Sequence, residues 1–337
     1  MKGRKFISIG VALGLVLILT LVPMAPLVMA DEGTATGSFT VGNAPPNVQS
    51  VELYTDSAMT SVAGSMTPQV EYYLKVRIHD GNGIDNIANV TAKIYYDSAG
   101  SNPSESGFTT GNTQNVSILT WNSTGWFIDA GSGTSWAIIS GNCTKPTAGN
   151  TGDWKFAFKP GKVATESTAG DWDLHGRGTD NASATDGMYC YNKTMNWYGE
   201  INLITTTIGF GTVAPGSNFD AAGNNVTDIN ATYTANGDYD EKVAASSPWA
   251  GPPNATLNVT EGTLDANEFA LKANDSTTLA TAVLVTISPT YNTTDDTGTQ
   301  TTESGDNVNT NTQWIKLAAT FTVATYNGTI YYQIANG

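Results

Sequence analysis

The sequence predicts an all-β protein, two β-sandwich domains behind an N-terminal signal peptide. Three observations predict it. Short segments of alternating apolar and polar residues recur between turn residues, and no stretch sustains a 3.6-residue period. Only 13% of the residues are charged, so the polar surface is made from the hydroxyls and amides of Thr, Ser and Asn. Alternation at period two, punctuated by turns, is the pattern of sandwich strands. Thr, Val, Ile and Tyr in turn suit a half-buried pleated surface.

The first thirty residues come before that pattern. Lys2, Arg4 and Lys5 precede a mostly apolar run from Phe6 to Val22; Pro23 and Pro26 break it, and Val28-Met29-Ala30 ends it just before Asp31 and Glu32. That is the charged start, apolar core and small-residue cleavage site of a secretory signal peptide. The run is shorter than the roughly 20 apolar residues of a bilayer span. Cleavage after Ala30 is therefore expected, and a membrane partner only if the segment stays uncleaved. The expected location is outside the cell, secreted or at the cell surface.

Removing residues 1–30, which hold three basic and no acidic residues, takes the net charge from −15 to −18. Such a surface excludes nucleic acid, whose binding depends on Lys and Arg neutralising phosphates. No Gly-rich loop leads from a strand into a helix, which leaves nucleotide binding without support. Two cysteines, Cys143 and Cys190, in an oxidising compartment predict one disulfide, with two separate buried thiols as the alternative. Thirteen Asn-X-Ser/Thr sites are spread over both halves. Asn89, Asn115, Asn122, Asn225, Asn254 and Asn292 are among the candidate glycosylation positions.

Taken in order, residues 31–46 are small and polar and read as a leader or linker. Strands are expected at 48–54, at 70–78 with Tyr72, Leu74, Val76 and Ile78 on one side, and at 90–96 with Val90, Ala92, Ile94 and Tyr96 together. Further strands are expected at 116–121, 136–140, 154–158 and 172–176, giving a first domain over 47–201. Near Asn202 the Trp-rich texture gives way to Thr and Ala, and a second domain is assigned to 202–337. Its strands are expected at 231–235, 241–244, 269–272, 282–287, 314–322 and 326–334. Residues 292–311 read as a long polar loop, the kind that is usually functional.

Three segments carry a resemblance. They are Val76-Arg77-Ile78-His79-Asp80-Gly81-Asn82-Gly83-Ile84, the run from Gly152-Asp153-Trp154 to Pro160-Gly161, and Gly170-Asp171-Trp172 through Asp180-Asn181. Together they resemble the immunoglobulin-like modules of archaeal and environmental bacterial surface proteins. The second domain is similar at its edges to secreted β-sandwiches of the WxL type, through Gly211 to Gly216 and Tyr326-Asn327-Gly328-Thr329-Ile330. The W-x-L tripeptide itself falls in the first domain, at Trp172-Asp173-Leu174. The resemblance implies sandwich folds and a role at the cell surface.

Calcium is the one cofactor these residues suggest. Asp80, Asn82 and Asp85 supply oxygen ligands within a Gly-containing turn, and Asp180, Asn181 and Asp186 form a second such group. The same spacing also makes ordinary turns for backbone reasons alone. Among the tryptophans, Trp154 and Trp172 are in phase with Phe156 and Leu174 and read as core; Trp126 and Trp197 are the expected exposed ligand-binding positions. Enzyme chemistry lacks parts: there are only two histidines and no nucleophile motif beside His175. Glu166, Asp171 and Asp173 are the first carboxylates to consider as a hydrolytic pair. The expectation is a non-catalytic surface protein serving envelope structure, adhesion or assembly, with envelope subunits, copies of itself or glycans as partners. The alternatives are a pair of carbohydrate-binding modules, or a filament subunit adding Ser38-Phe39-Thr40-Val41 to a neighbour's sheet.

Overall fold

Tyr72, Leu74, Val76 and Ile78 all bury on one face, as their alternation predicts, and that face is one wall of an apolar core. The computed structural model describes residues 36–97, 114–129 and 133–337; the signal segment and most of the turn predicted at 97–103 lie outside them. The first sandwich comprises β1 (Asn47–Tyr54), β2 (Ser65–Met66), β3 (Tyr72–His79), β4 (Ile87–Tyr96), β5 (Val116–Asn122) and β6 (Gly125–Ile128), then β7 (Ala137–Ile138), β8 (Thr151–Lys159), β9 (Ser167–Asp180) and β10 (Thr185–Met195). Its sheets run β1-β3-β8-β7 and β2-β10-β9-β4-β5-β6.

Between those sheets lies one continuous cluster, in which Trp121, Trp136, Trp154 and Trp172 pack with Phe156 and Phe158. Trp154 and Trp172 are core, as expected. The rings pack off-parallel, Trp121 against Trp154 at 5.7 Å and Trp136 against Trp172 at 6.0 Å between centroids, the tilted geometry that aromatic quadrupoles favour. Close sheet approach needs glycine in β9. A Cβ on Gly176 would stand 2.6 Å from Val51 Cγ2.

The second sandwich comprises β11 (Gly199–Leu203), β12 (Asn225–Ala235), β13 (Tyr239–Ala245), β14 (Thr256–Leu257), β15 (Glu268–Asn274), β16 (Val283–Leu284), β17 (Thr286–Ile287), β18 (Asn292–Gly298), β19 (Asp306–Leu317) and β20 (Ile330–Asn336). One sheet runs β11-β12-β19-β15-β14 with β16 on β15; in the other, β13 pairs β17, β18 and β20. Because β11 pairs with β12, the changeover falls at residues 196–198, ahead of the composition shift at 202. The polar stretch 292–311 is not a loop: β18 and the first half of β19 occupy most of it.

The interior of this sandwich is divided. Val243, Phe269, Leu271 and Ile315 belong to one cluster, and Tyr233, Ala235 and Tyr239 to another. Along β13 and β19 the buried side chains between them are polar: Glu241, Asn311 and Gln313. The two sandwiches lie in one unit, Asn43–Gly337, joined by a polar seam. Fully buried Asn236 donates to the carbonyls of Ala164 (2.8 Å) and Asn196 (2.9 Å). Lys162 pairs with Glu200 at 2.5 Å.

The predicted disulfide is corrected. Cys143 and Cys190 are both free, because the strands place them on different sides of a sheet. Cys143 packs with Tyr54, Tyr73 and Ala157 on the outer face of the first sheet. Its Sγ accepts a hydrogen bond from Ala157 N at 3.2 Å. Cys190 sits on β10 of the opposite sheet and packs against the inner core. The β1-β3-β8-β7 sheet and the core therefore lie between the two sulfurs, whereas a disulfide needs its Cα atoms within roughly 7 Å.

Candidate functional site

An aromatic groove opens at one end of the first sandwich. It starts from a tight hairpin, in which Asn122 pairs with Gly125 across the β5–β6 turn. Asn122 Oδ1 accepts from Thr124 N (2.9 Å) and Thr124 Oγ1 (2.6 Å), and Gly125 takes a φ of 130. A side chain is strained at such a φ, so the turn requires glycine. The hairpin sets Trp121 directly opposite Trp126, a cross-strand pair with centroids 6.2 Å apart. Trp126 rests edge-on against Phe156 at 4.9 Å, half-buried and held in place.

Around these indoles stand Asp85, Asn122, Thr144, Lys145 and Asn181, enclosing a groove of ≈ 720 Å³. Lys145 Nζ lies 5.5 Å from the centroid of the Trp121 ring, a distance at which the ammonium is drawn to the aromatic face. Cys143 also lines the groove. Burial pushes its thiol pKa up, which keeps the sulfur protonated and a poor nucleophile. The groove thus offers an apolar floor with a few convergent polar groups, the usual composition of a small-molecule site.

Of the two predicted ligand-binding tryptophans, only Trp126 belongs here. Trp197 is half-buried against the second sandwich with Ile201 and Ile334, and its indole N–H donates to the Asp238 carbonyl at 3.0 Å. It sits at the changeover between the sandwiches. Lys145 was not singled out by sequence reasoning as a ligand contact. Trp121 is placed in the groove by its register opposite Trp126, and Lys145 by the isolated bridge that ties Thr144 to Lys155.

The two acidic turns proposed for calcium come together. Asn43 Nδ2 donates to Asp180 Oδ2 at 2.8 Å, Asn86 Nδ2 to Asp80 Oδ2 at 3.3 Å, and Asn86 Nδ2 reaches Asn43 Oδ1 at 3.5 Å. Asp80 Oδ1 accepts from Asn82 N (2.7 Å), and Asp180 Oδ1 from Ala184 N (2.7 Å). Asn82 Oδ1 accepts from Ala44 N (2.6 Å), and Asp186 Oδ2 from Val48 N (2.7 Å). These oxygens satisfy the chain's own N–H groups, which is turn chemistry. The Asn43 hydrogen bond holds the Asp180 carboxyl below its ordinary range. Asp85 and Asn181 instead face the groove.

The carboxylates considered for hydrolysis are likewise engaged. Asp171 accepts from Ser167 Oγ at 2.6 Å and Asp173 from Asn192 N at 3.0 Å, while Glu166 takes a long contact of 3.4 Å from Asn336 at the seam. His175 is buried and stacks on Tyr189 at 4.2 Å. Among the candidate glycosylation positions, Asn225 and Asn254 are exposed, whereas Asn89, Asn115, Asn122 and Asn292 are half-buried. The amide of Asn292 donates to the Leu284 carbonyl at 2.7 Å. No protein-family model matches the chain, and no curated protein matches it significantly in sequence.

Proposed function

We propose that this chain is a secreted, non-catalytic protein of the cell surface that recognises carbohydrate through the Trp126 groove, in the service of adhesion or envelope structure. The carrying observation is the Trp121–Trp126 pair flooring a groove edged by Asp85, Asn181 and Lys145. A pyranose presents an apolar C–H face and a girdle of hydroxyls. The indole takes the first, and the carboxylate, amide and ammonium take the second. The signal-like residues 1–30 support export, and the acidic, hydroxyl-rich surface suits the cell exterior. A glycan array probed with the purified chain tests this. Trp126→Ala should weaken the retained glycans at least tenfold, while Trp197→Ala leaves them unchanged. An array without binding, or binding indifferent to Trp126, overturns the reading.

A second reading is a filament subunit. Phe39 and Val41 occupy alternate positions in a segment outside any strand and are 89% and 71% exposed, as a strand donated to a neighbour's sheet edge would be. Light scattering that finds only monomer across a concentration series removes it.

A further inference from the structure

The sheets of a sandwich end in edge strands, whose unpaired N–H and C=O groups can take up a further strand. Most edges here are guarded. β2, β7, β14, β16 and β17 are two residues long, and β6 is four. β1 carries Glu52 and a register shift between Val48 and Ser50. β11 carries Glu200, and β18 carries Asp295 and Asp296 with register shifts of its own. Short length, charge and bulges are the devices that keep an edge from pairing.

β20 has none of them. It runs Ile330-Tyr331-Tyr332-Gln333-Ile334-Ala335-Asn336, without a charge or a proline. It pairs β13 residue for residue, from Ile330 opposite Ala245 to Asn336 opposite Tyr239. Among the described residues no strand lies on its other side. Its neighbour in the facing sheet is β11. Along this margin Ile201, Leu203, Ile330, Tyr332 and Ile334 pack on the core yet stay only half-buried.

The chain also carries a segment that fits such an edge. Phe39 and Val41 stand two apart, the spacing at which strand side chains share a face. They are 89% and 71% exposed and lie outside any strand. Residues 36–41 carry no charge. Pro45 and Pro46 part them from β1, since proline lacks the N–H of a ladder hydrogen bond.

We propose that the open edge of β20 takes up residues 36–41 of a second copy as an added strand, with Phe39 and Val41 turned inward over the half-buried margin. This contact rests on the filament reading and specifies it. Backbone hydrogen bonds supply the affinity, and the alternate apolar side chains fix the register. Donor and acceptor are different surfaces, so each copy gives one strand and receives one. Such a contact builds chains or rings rather than a two-fold dimer.

The test is light scattering on the full chain, secreted with its own leader, over a concentration series. Phe39→Asp with Val41→Asp removes the donor at positions outside every strand. Tyr331→Lys with Gln333→Lys charges the acceptor edge at two exposed positions. The parent chain should form species larger than a dimer, and each variant alone should associate at least tenfold more weakly. Mixed, the two variants should form a one-to-one pair, because one keeps its acceptor and the other its donor. Oligomers that survive the donor change overturn the β20 contact and leave the filament reading to another surface. Folded variants that stay apart when mixed overturn the contact as well. A parent chain that is monomeric at every concentration removes both.

Discussion

The two sandwiches solve the same packing problem differently. Each has to fill the gap between two sheets. The first fills it with a continuous apolar cluster built on four tryptophans and sets its groove at a hairpin on the edge of that cluster, with Trp121 shared by both. The second places Glu241, Asn311 and Gln313 across its interior, which leaves two smaller apolar clusters and a cleft where β15 ends. The first domain's groove thus rests on its apolar core, whereas the second carries polar side chains into the space between its sheets. An aromatic platform needs a stiff support. A site for charge needs polar groups carried inward, and each group so placed displaces apolar packing.

The largest expected effect tests that contrast directly. Trp154 is 1% exposed and packs on Trp121 within the single cluster. Trp154→Ala removes a ring at the centre of a close-packed core, at about 3–5 kcal/mol. Trp249 is 9% exposed and packs on Phe269 at 4.7 Å in the smaller cluster. Trp249→Ala should cost less, because that site borders solvent. Denaturant unfolding of both variants decides it, and an equal or reversed order breaks the comparison.

How much of this was legible in the sequence follows the same division. The faces formed by Tyr72, Leu74, Val76 and Ile78, and by Val90, Ala92 and Ile94, could be read because their alternation records burial against a core. β18 and the first half of β19 could not. Their Asn, Thr and Asp residues face a cleft or solvent, so no apolar rhythm marks them. β10 was missed for a related reason: Gly187, Met188, Tyr191 and Asn192 are all exposed, and the strand shows no clean alternation. Trp126, Asp85 and Asn181 were each picked out separately. Their meeting in one groove depends on strand pairings between distant segments, which local pattern does not encode.

Glu241→Gln sharpens the contrast from the other side. Burial, reinforced by Asp295, Asp275 and Asp306 and partly offset by Tyr233, raises the Glu241 carboxyl from 4.5 to about 7 in the folded chain. Between those two values the folded state binds more protons than the unfolded one, so stability falls as pH rises through that window. Above it the folded protein carries a penalty of roughly 3 kcal/mol, at about 1.4 kcal/mol for each pH unit that the window spans. Glu241→Gln should therefore stabilise the chain by roughly that amount at pH 8 and change little at pH 4.5. Urea titrations at the two pH values measure the difference. A variant that is no more stable at pH 8 would show that the cleft does not hold a destabilising charge.

The smallest expected effect concerns the cysteines. A bridge between Cys143 and Cys190 would close a loop of nearly fifty residues and contribute about 4 kcal/mol by chain entropy. With the sulfurs on opposite sides of a sheet, the unfolding midpoint should not move between oxidising buffer and dithiothreitol. Peptide mapping without reduction should find both thiols alkylated. A drop of several kcal/mol on reduction would mean that the two segments meet after all. Closing the bridge would need Cys143 to leave the outer face of its sheet, where it packs with Tyr54, Tyr73 and Ala157.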